Sequence, residues 1–154
     1  MNYEIVELPE RAIVGPVIRT GNDQPDCEQK IGGLWARFMG EGLDRSIPGT
    51  RVEPYGCFGL YFDYNMTEQT YAMIVGCETT DAAPEGLGSC TIPAGRYAKF
   101  EIKNGDVKSS VIEVWNDIWA DKELAAQRAY TVDFEAYYPC DPAHANIDIF
   151  VALK

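Results

Sequence analysis

Residues 131–154 read TVDFEAYYPCDPAHANIDIFVALK, and this closing stretch decides the fold. It predicts two β-strands joined by a turn-rich loop, because alternating and aliphatic runs flank a segment rich in proline and aspartate. In the first strand one face carries Val132, Phe134, Ala136 and Tyr138, and the other carries Asp133, Glu135 and Tyr137. Glu135 is therefore either a solvated strand position or the charged floor of a pocket.

The rest of the chain alternates strand and helix patterns. Strands are predicted over residues 2–8, 11–19, 54–64, 70–78 and 91–103, with a break at Pro9 and a bulge or sheet edge at Gly15-Pro16. A helix over residues 26–40 carries the apolar stripe Ile31, Leu34, Trp35 and Phe38. A second helix, with Asp106 as its N-cap, carries Val111, Val114, Trp115, Ile118 and Trp119. Gly32 and Gly33 weaken the first helix, and we expect them to let it lie close to a sheet.

Each half of the chain thus runs strand, helix, strand, strand. We interpret this order as two βαββ pseudo-repeats, about residues 1–80 and 88–154, within one domain spanning residues 1–154. The predicted fold class is α+β, with one mainly antiparallel sheet and two helices on one face, because each helix has a single apolar stripe to bury. The opposite face is expected to be solvated or to form a concave ligand cleft.

Acids and aromatics gather on the face predicted to lack helices. They are Glu135, Asp148, Tyr137, Phe150 and Tyr61, with Tyr55, Tyr71 and Tyr97 as further candidates. Aromatic walls with a few carboxylates suit flat, apolar or cationic molecules. The alternative is a solvated sheet face, on which tyrosine and acidic residues are common. The helical tryptophans Trp35 and Trp115 are predicted as core residues first and ligand contacts second.

The charge balance excludes several classes of partner. Lys plus Arg number 13 and Asp plus Glu number 24, which gives a net charge of −11. A field of this sign repels phosphate backbones, so we expect no direct nucleic-acid binding. A cationic ligand or a basic protein partner fits better. The opening residues carry acids and no apolar signal core, and no apolar run approaches the length of a membrane span.

The sequence offers no familiar catalytic or metal motif. His144 is the only histidine and lies in a turn, and the five cysteines are scattered: Cys27, Cys57, Cys77, Cys90 and Cys140. We therefore expect no metal, no cofactor and no nucleophile–histidine triad. Free thiols and the missing signal peptide favour a cytoplasmic location, and Cys57 and Cys77 are predicted as small core residues.

Four stretches together resemble a known family: the opening MNYEIVELPERAIVG, IPAGRYAKFEI, the helix ending at Trp119, and DFEAYYP followed by IDIFVALK. Over essentially the whole chain, the sequence resembles the GyrI-like small-molecule-binding proteins, also described as AraC-type effector-binding domains. They are related to the ligand domains of multidrug-responsive transcription regulators. The resemblance implies a duplicated βαββ fold with a ligand cleft between its halves.

The resemblance also implies roles for individual residues. Glu135 matches a buried glutamate that meets cationic aromatic ligands, and Asp148 and Phe150 match an acid and an aromatic of the final strand. The predicted ligand-binding residues are Glu135, Tyr137, Phe150, Asp148, Tyr61, Tyr97, Tyr71, Trp115 and Trp35. We predict a small-molecule-binding protein, a monomer or weak dimer, without its own DNA-binding segment. The alternatives are a hydrolase of cyclopropane-type electrophiles that uses Glu135 and Tyr137, and an acidic partner protein of the gyrase-inhibitor type.

Overall fold

A computed structural model describes residues 3–51, 54–139 and 142–154, without the side chains of Asp44 and Pro142. Cys140 and the first residue of the strand predicted over 2–8 lie outside these ranges. The strands are β1 (Glu4–Leu8), β2 (Arg11–Gly15), β3 (Val17–Thr20), β4 (Cys57–Asn65), β5 (Thr70–Glu78), β6 (Gly88–Ile92), β7 (Gly95–Gly105), β8 (Val132–Tyr137) and β9 (Ala145–Ala152). The helices are α1 (Cys27–Gly40), α2 (Leu43–Ser46), α3 (Val107–Ala120) and α4 (Lys122–Gln127), and Pro142–His144 form a 3-10 turn.

The strands form one nine-stranded sheet in the order β1-β7-β9-β8-β4-β5-β2-β6, with β3 also paired to β5. Each strand pair in the described ranges is antiparallel. The predicted α+β class is confirmed. The closing hairpin lies at the centre of the sheet, with β8 between β9 and β4. Glu135 therefore lies on one of the most protected strands of the protein.

Helices α1 and α3 pack on the same face of this sheet. Leu34 and Phe38 of α1 are buried against a cluster that includes Met73 of β5. Trp115 and Ile118 of α3 are buried in a cluster formed with β7 and β9. Asp106 caps α3 as predicted, and its carboxylate accepts hydrogen bonds from the backbone N–H groups of residues 108 and 109. Trp119, predicted in the same stripe, is instead 51% exposed.

The opposite face of the sheet is closed, which corrects the prediction of an open or concave surface there. Ile13 of β2 and Ile92 of β6 pack in one buried cluster with Phe134 and Phe150 of the central hairpin. The outer strands thus curl over this face, and their apolar side chains supply the cover that no helix provides. Among the described residues, the apolar side chains of this face form a packed core and not the wall of an open cleft.

Two glycines permit the curl where β2 and β3 diverge around Pro16. A Cβ atom on Gly15 would lie 2.0 Å from the Val75 carbonyl oxygen, and one on Gly76 would lie 2.1 Å from the Val14 carbonyl oxygen. Only glycine allows the two backbones to approach so closely. The single strand predicted over residues 11–19 is instead two strands, β2 and β3, divided at Pro16, and this division allows β2 to pair with both β5 and β6.

Two further predictions on the helices and strands need correction. Gly32 and Gly33 do not bring α1 close to the sheet, since a Cβ atom on either would meet no atom within 4 Å. The strand predicted over residues 91–103 is two strands, β6 and β7, separated at Pro93 and Ala94, and Gly95 follows with a φ of +152°. Among the described residues, no helix is both long and apolar enough to cross a membrane.

Candidate functional site

Glu135 occupies the middle of β8 and is only 1% exposed. The prediction of a solvated position is therefore wrong. Its cross-strand neighbours are Gly59 of β4 and Ile149 of β9, so its side chain lies on the face that the helices cover. The absence of a side chain at Gly59 leaves room there: a Cβ atom would lie 3.2 Å from the Trp35 ring and 3.3 Å from Oε1 of Glu135.

Three neutral donors surround the Glu135 carboxylate. The Tyr137 hydroxyl donates to Oε1 at 2.6 Å, and the Tyr61 hydroxyl donates to Oε2 at 2.8 Å. The Trp115 indole N–H donates to Oε2 at 2.7 Å and thereby links α3 to the sheet. Among the described residues, no basic side chain forms an ion pair with this carboxylate. The arrangement holds the carboxylate in place and leaves its charge unbalanced.

Burial sets the protonation behaviour of this group. Loss of solvent raises the pKa of the Glu135 carboxyl, and the hydrogen bonds from Tyr137, Trp115 and Tyr61 offset that rise only in part. Burial and the nearby carboxylate also raise the pKa values of Tyr61 and Tyr137 well above their ordinary range, so both remain neutral donors. A positive charge placed beside Glu135 would favour its ionised form.

A row of aromatic rings runs along this face and passes over Glu135. We call it the aromatic row; its members in spatial order are Tyr130, Tyr64, Tyr71, Tyr61, Trp115 and Trp119. The centroids of successive rings lie 5.4–6.1 Å apart. Its ends reach solvent, since Tyr130 is 36% exposed and Trp119 is 51% exposed. From α1, Trp35 adds an edge contact to Tyr137, with centroids 5.0 Å apart.

A bulge in β4 brings Tyr64 into the aromatic row. The pairing of β4 with β5 shifts between Phe62 and Asn65, and Asp63 adopts a φ of +51°. The extra residue reverses the alternation, so Tyr61 and Tyr64 share a face although they are three positions apart. The Arg19 guanidinium holds the bulge, with Nη1 3.0 Å from the Asp63 carboxylate and Nη2 2.9 Å from its carbonyl oxygen.

Asp133 is a second buried acid on the same face, two residues before Glu135, and is 0% exposed. It is fully paired. The Arg128 Nη2 lies 2.7 Å from Oδ2, the Tyr64 hydroxyl donates to the same oxygen at 2.5 Å, and the Ala152 N–H donates to Oδ1 at 2.8 Å. The two acids thus differ in one respect that matters for binding: Asp133 has a cationic partner, and Glu135 has none in the part of the chain that the structure describes.

The structure brings together six of the nine predicted ligand-binding residues. Glu135, Tyr137, Tyr61, Tyr71, Trp115 and Trp35 contact one another on the helix-covered face. Phe150, Asp148 and Tyr97 lie on the face without helices, as predicted, but this separates them from Glu135 and corrects their assignment to its site. The prediction that Glu135, Tyr137, Tyr61 and Tyr71 lie on that same face is wrong, because the strand register turns them toward the helices. Phe150 pairs with Phe134 and stacks on it at 4.7 Å, and Tyr97 packs in the same cluster. Asp148 accepts hydrogen bonds from Tyr55 at 2.6 Å and Tyr138 at 2.8 Å.

Five residues of the site were not among the predicted ligand contacts. They are Tyr64, Trp119, Arg128, Tyr130 and Asp133. The alternation in β8 places Asp133 beside Glu135, so the sequence carried a signal for this acid. No local pattern indicates the bulge that turns Tyr64 inward or the loop path that brings Arg128 to Asp133.

A separate cavity of about 520 Å³ lies beside β2 and the end of β5. Its charged lining residues are Glu10, Arg11, Arg51 and Glu78, which sum to zero net charge. Glu78 lies 3.8 Å from Arg11 and 3.9 Å from Arg51. None of the described residues that line this cavity is aromatic, so its known lining differs from the aromatic site around Glu135.

Residues 4–153 match the family of integron-associated effector binding proteins, Cass2. The chain belongs to this family. The family is a member of the GyrI-like superfamily, so the resemblance is confirmed at that level. Its narrower description as a ligand domain of the multidrug-regulator type stays a prediction.

Individual relatives span nearly the whole effector-binding chain. The Bacillus subtilis protein YobU, a candidate transcriptional regulator, is 29% identical and covers 97% of this chain and 96% of its own. The integron cassette protein VCH_CASS2 from the mobile metagenome of Vibrio cholerae is 27% identical, with a TM-score of 0.75. The match covers 99% of this chain and 95% of the cassette protein. The structure of SAV2435 bound to tetraphenylphosphonium has a TM-score of 0.82 at 18% identity. The match covers 100% of this chain and 94% of SAV2435.

These relatives bear unequally on the alternatives. They support an effector-binding, regulator-like protein and give no support to the hydrolase alternative. The gyrase-inhibitor alternative, the division into pseudo-repeats and the oligomeric state stay predictions.

His144 is exposed and lies in the turn where the sequence predicts it, and its Nδ1 lies 2.9 Å from Asn104 Oδ1. Among the described residues, no cluster of histidine, cysteine and acidic side chains could hold a metal ion.

Proposed function

We propose that this effector-binding protein binds lipophilic aromatic cations, with the Glu135 carboxylate as the counter-charge. One observation carries the proposal: Glu135 is buried, is held by three neutral donors and has no basic partner among the described residues. A buried charge without a partner is costly in free energy. A ligand cation beside the carboxylate offsets part of that cost, and this gain in free energy contributes to binding.

The aromatic row supports the same class of ligand. A cation over the face of tryptophan or tyrosine is attracted by the ring quadrupole, and this attraction is stronger when water is excluded. Tyr61 and Trp115 contact both the carboxylate and each other, so a ligand that displaces either ring edge meets a π-face and a negative charge together. Such walls define ligand shape loosely and tolerate related cations.

Ligand entry requires movement of side chains, because Glu135 and Tyr137 are almost fully buried. Trp35 is half-buried and Trp119 is exposed, and both lie at the margin of the site. We propose that these two rings move first. The likeness to the fold of SAV2435, whose structure was determined with tetraphenylphosphonium, supports the view that this fold can accommodate a bulky cation.

A pair of shape-matched ions tests the proposal. Tetraphenylphosphonium and tetraphenylborate have nearly the same size and opposite charge. We expect the cation to bind and the anion to bind at least about 100-fold more weakly, because the anion would meet the Glu135 carboxylate in a desolvated site. Isothermal titration calorimetry gives both affinities. Tryptophan fluorescence gives a second readout, because all three tryptophans of the sequence lie at the site. Equal binding of both ions, or no binding of the cation, would contradict the proposal.

The raised pKa of Glu135 predicts how binding depends on pH. Below that pKa the free protein holds a proton on Glu135, and binding of a permanent cation must release it. Affinity for tetraphenylphosphonium should therefore rise with pH up to the pKa of Glu135 and become constant above it. Tyr61, Tyr137 and Trp115 stay neutral throughout this window, and Arg128 balances Asp133. A Glu135→Gln variant should show no such rise, and an identical pH profile in that variant would assign the proton to another group.

A further inference from the structure

The site contains two anionic positions on one strand. Glu135 and Asp133 project from the same face of β8, so their Cα atoms are roughly 7 Å apart. Both are buried, and the aromatic row passes over both, with Tyr61 bonded to Glu135 and Tyr64 bonded to Asp133. Tyr71 joins the two halves, with its ring centroid 5.4 Å from that of Tyr61 and 6.1 Å from that of Tyr64.

The Arg128 side chain fills the position beside Asp133. Its Nη2 lies 2.7 Å from Oδ2 of Asp133, and its guanidinium carbon lies 4.4 Å from the centroid of the Tyr130 ring. The side chain is 8% exposed, and its buried Nε has no hydrogen-bond partner. A cation between a buried carboxylate and an aromatic face is the same arrangement that we propose for a ligand at Glu135.

The backbone around Arg128 fixes this residue in place. Arg128 forms a β-bridge with Leu153. On either side, the Ala129 N–H donates to the Ala152 carbonyl oxygen at 2.9 Å, and the Lys154 N–H donates to the Gln127 carbonyl oxygen at 2.8 Å. The backbone of Arg128 is therefore anchored to residues 152–154, so its side chain does not project from a free loop.

We propose that Arg128 acts as a built-in cation that occupies the second anionic position and restricts the site to ligands with one positive charge. This inference rests on the proposed function, since it concerns the ligand charge that the same site accepts. A ligand with a second cation would place it near the guanidinium, and like charges repel strongly in a desolvated site. Without Arg128, Asp133 would offer that second cation a carboxylate, and Tyr64 and Tyr130 would offer aromatic surface.

Benzylamine and para-xylylenediamine test this proposal, because they share one ring and carry one and two ammonium groups. The measured quantity is the ratio of the two dissociation constants, by calorimetry. Wild-type protein should bind the monocation more tightly than the dication, and equal binding of the two would contradict the proposal. Arg128→Ala should prefer the dication by at least about tenfold. Arg128→Lys, which keeps a cation, should behave like wild type, and Arg128→Ala combined with Asp133→Asn should lose the preference because the second carboxylate is gone.

Folding must be checked because Arg128→Ala leaves Asp133 buried without a cation. Circular dichroism and the melting temperature report on each variant, and Arg128→Gln, which keeps a donor near Asp133, replaces the alanine variant if that one does not fold. A folded Arg128→Ala or Arg128→Gln protein whose ratio equals that of wild type overturns the proposal, as does a dication preference that survives Asp133→Asn. Failure of the wild type to bind any cation would instead overturn the proposed function.

Discussion

Glu135→Gln should weaken the binding of tetraphenylphosphonium by at least about 30-fold, because loss of one buried charge from a pair typically costs 2–5 kcal/mol. Glutamine keeps the size of the side chain and removes the charge. Its amide can accept hydrogen bonds at one oxygen only, whereas Oε2 of Glu135 accepts from Tyr61 and Trp115 and Oε1 accepts from Tyr137. Calorimetry at a pH above the pKa of Glu135 measures the change where the wild-type carboxylate is fully ionised.

Asp148→Asn is the matched control. Asp148 is 3% exposed, accepts hydrogen bonds from Tyr55 and Tyr138, and lies on the opposite face of the same hairpin. The substitution removes one negative charge from the protein as Glu135→Gln does. We expect the affinity of the Asp148→Asn variant to stay within about twofold of wild type, because a charge on the far face is not in contact with the ligand. Equal losses in both variants would mean that net charge, and not Glu135, drives binding.

Phe150→Ala should lower the free energy of unfolding by about 3–5 kcal/mol, the usual cost of emptying a buried phenylalanine site. Phe150 is 2% exposed, and its ring stacks on Phe134 with centroids 4.7 Å apart and an interplanar angle of 22°. Tyr97 adds an edge contact at 6.5 Å, and the curled strands β2 and β6 close the cluster. Urea denaturation followed by circular dichroism measures the loss.

Phe150→Leu separates a core role from a ligand contact at the same position. Leucine keeps most of the apolar volume, so the loss of stability should be smaller than in Phe150→Ala, and the affinity for tetraphenylphosphonium should be unchanged. A ligand-wall residue would behave in the opposite way, with a large loss of affinity and a small loss of stability. The second pattern would return Phe150 to the site and would contradict the closed face described above.

The closing hairpin shows how far local pattern reaches. Alternation along β8 placed Asp133, Glu135 and Tyr137 on one face, and this is confirmed by their common contacts with the helix side of the sheet. The stripe on the first helix identified Leu34 and Phe38 as core residues, and Asp106 was recognised as the cap of α3. These features depend on neighbours within a few residues, which is the range over which side-chain periodicity acts.

Local pattern could not decide which face of β9 joins Glu135. Register between strands sets that choice, and a shift by one residue exchanges the two faces. The register pairs Glu135 with Ile149, so Asp148 and Phe150 point the other way. The same limit applies to Tyr64, which a bulge turns toward Tyr71, and to Arg128, which reaches Asp133 through a β-bridge to the chain end.

The sequence by itself determined the α+β class, the strand on which the key carboxylate lies, and the aromatic and acidic character of its surroundings. The tertiary structure alone decided that Glu135 lies beneath the helices, that no basic side chain of the described residues pairs with it, and that Asp133 has such a partner. The physical reason is that burial and pairing of a charge depend on residues far apart in the chain, such as Tyr61, Trp115 and Arg128. The register and curl of the assembled sheet place Tyr61 and Trp115 at Glu135 and place Arg128 at Asp133.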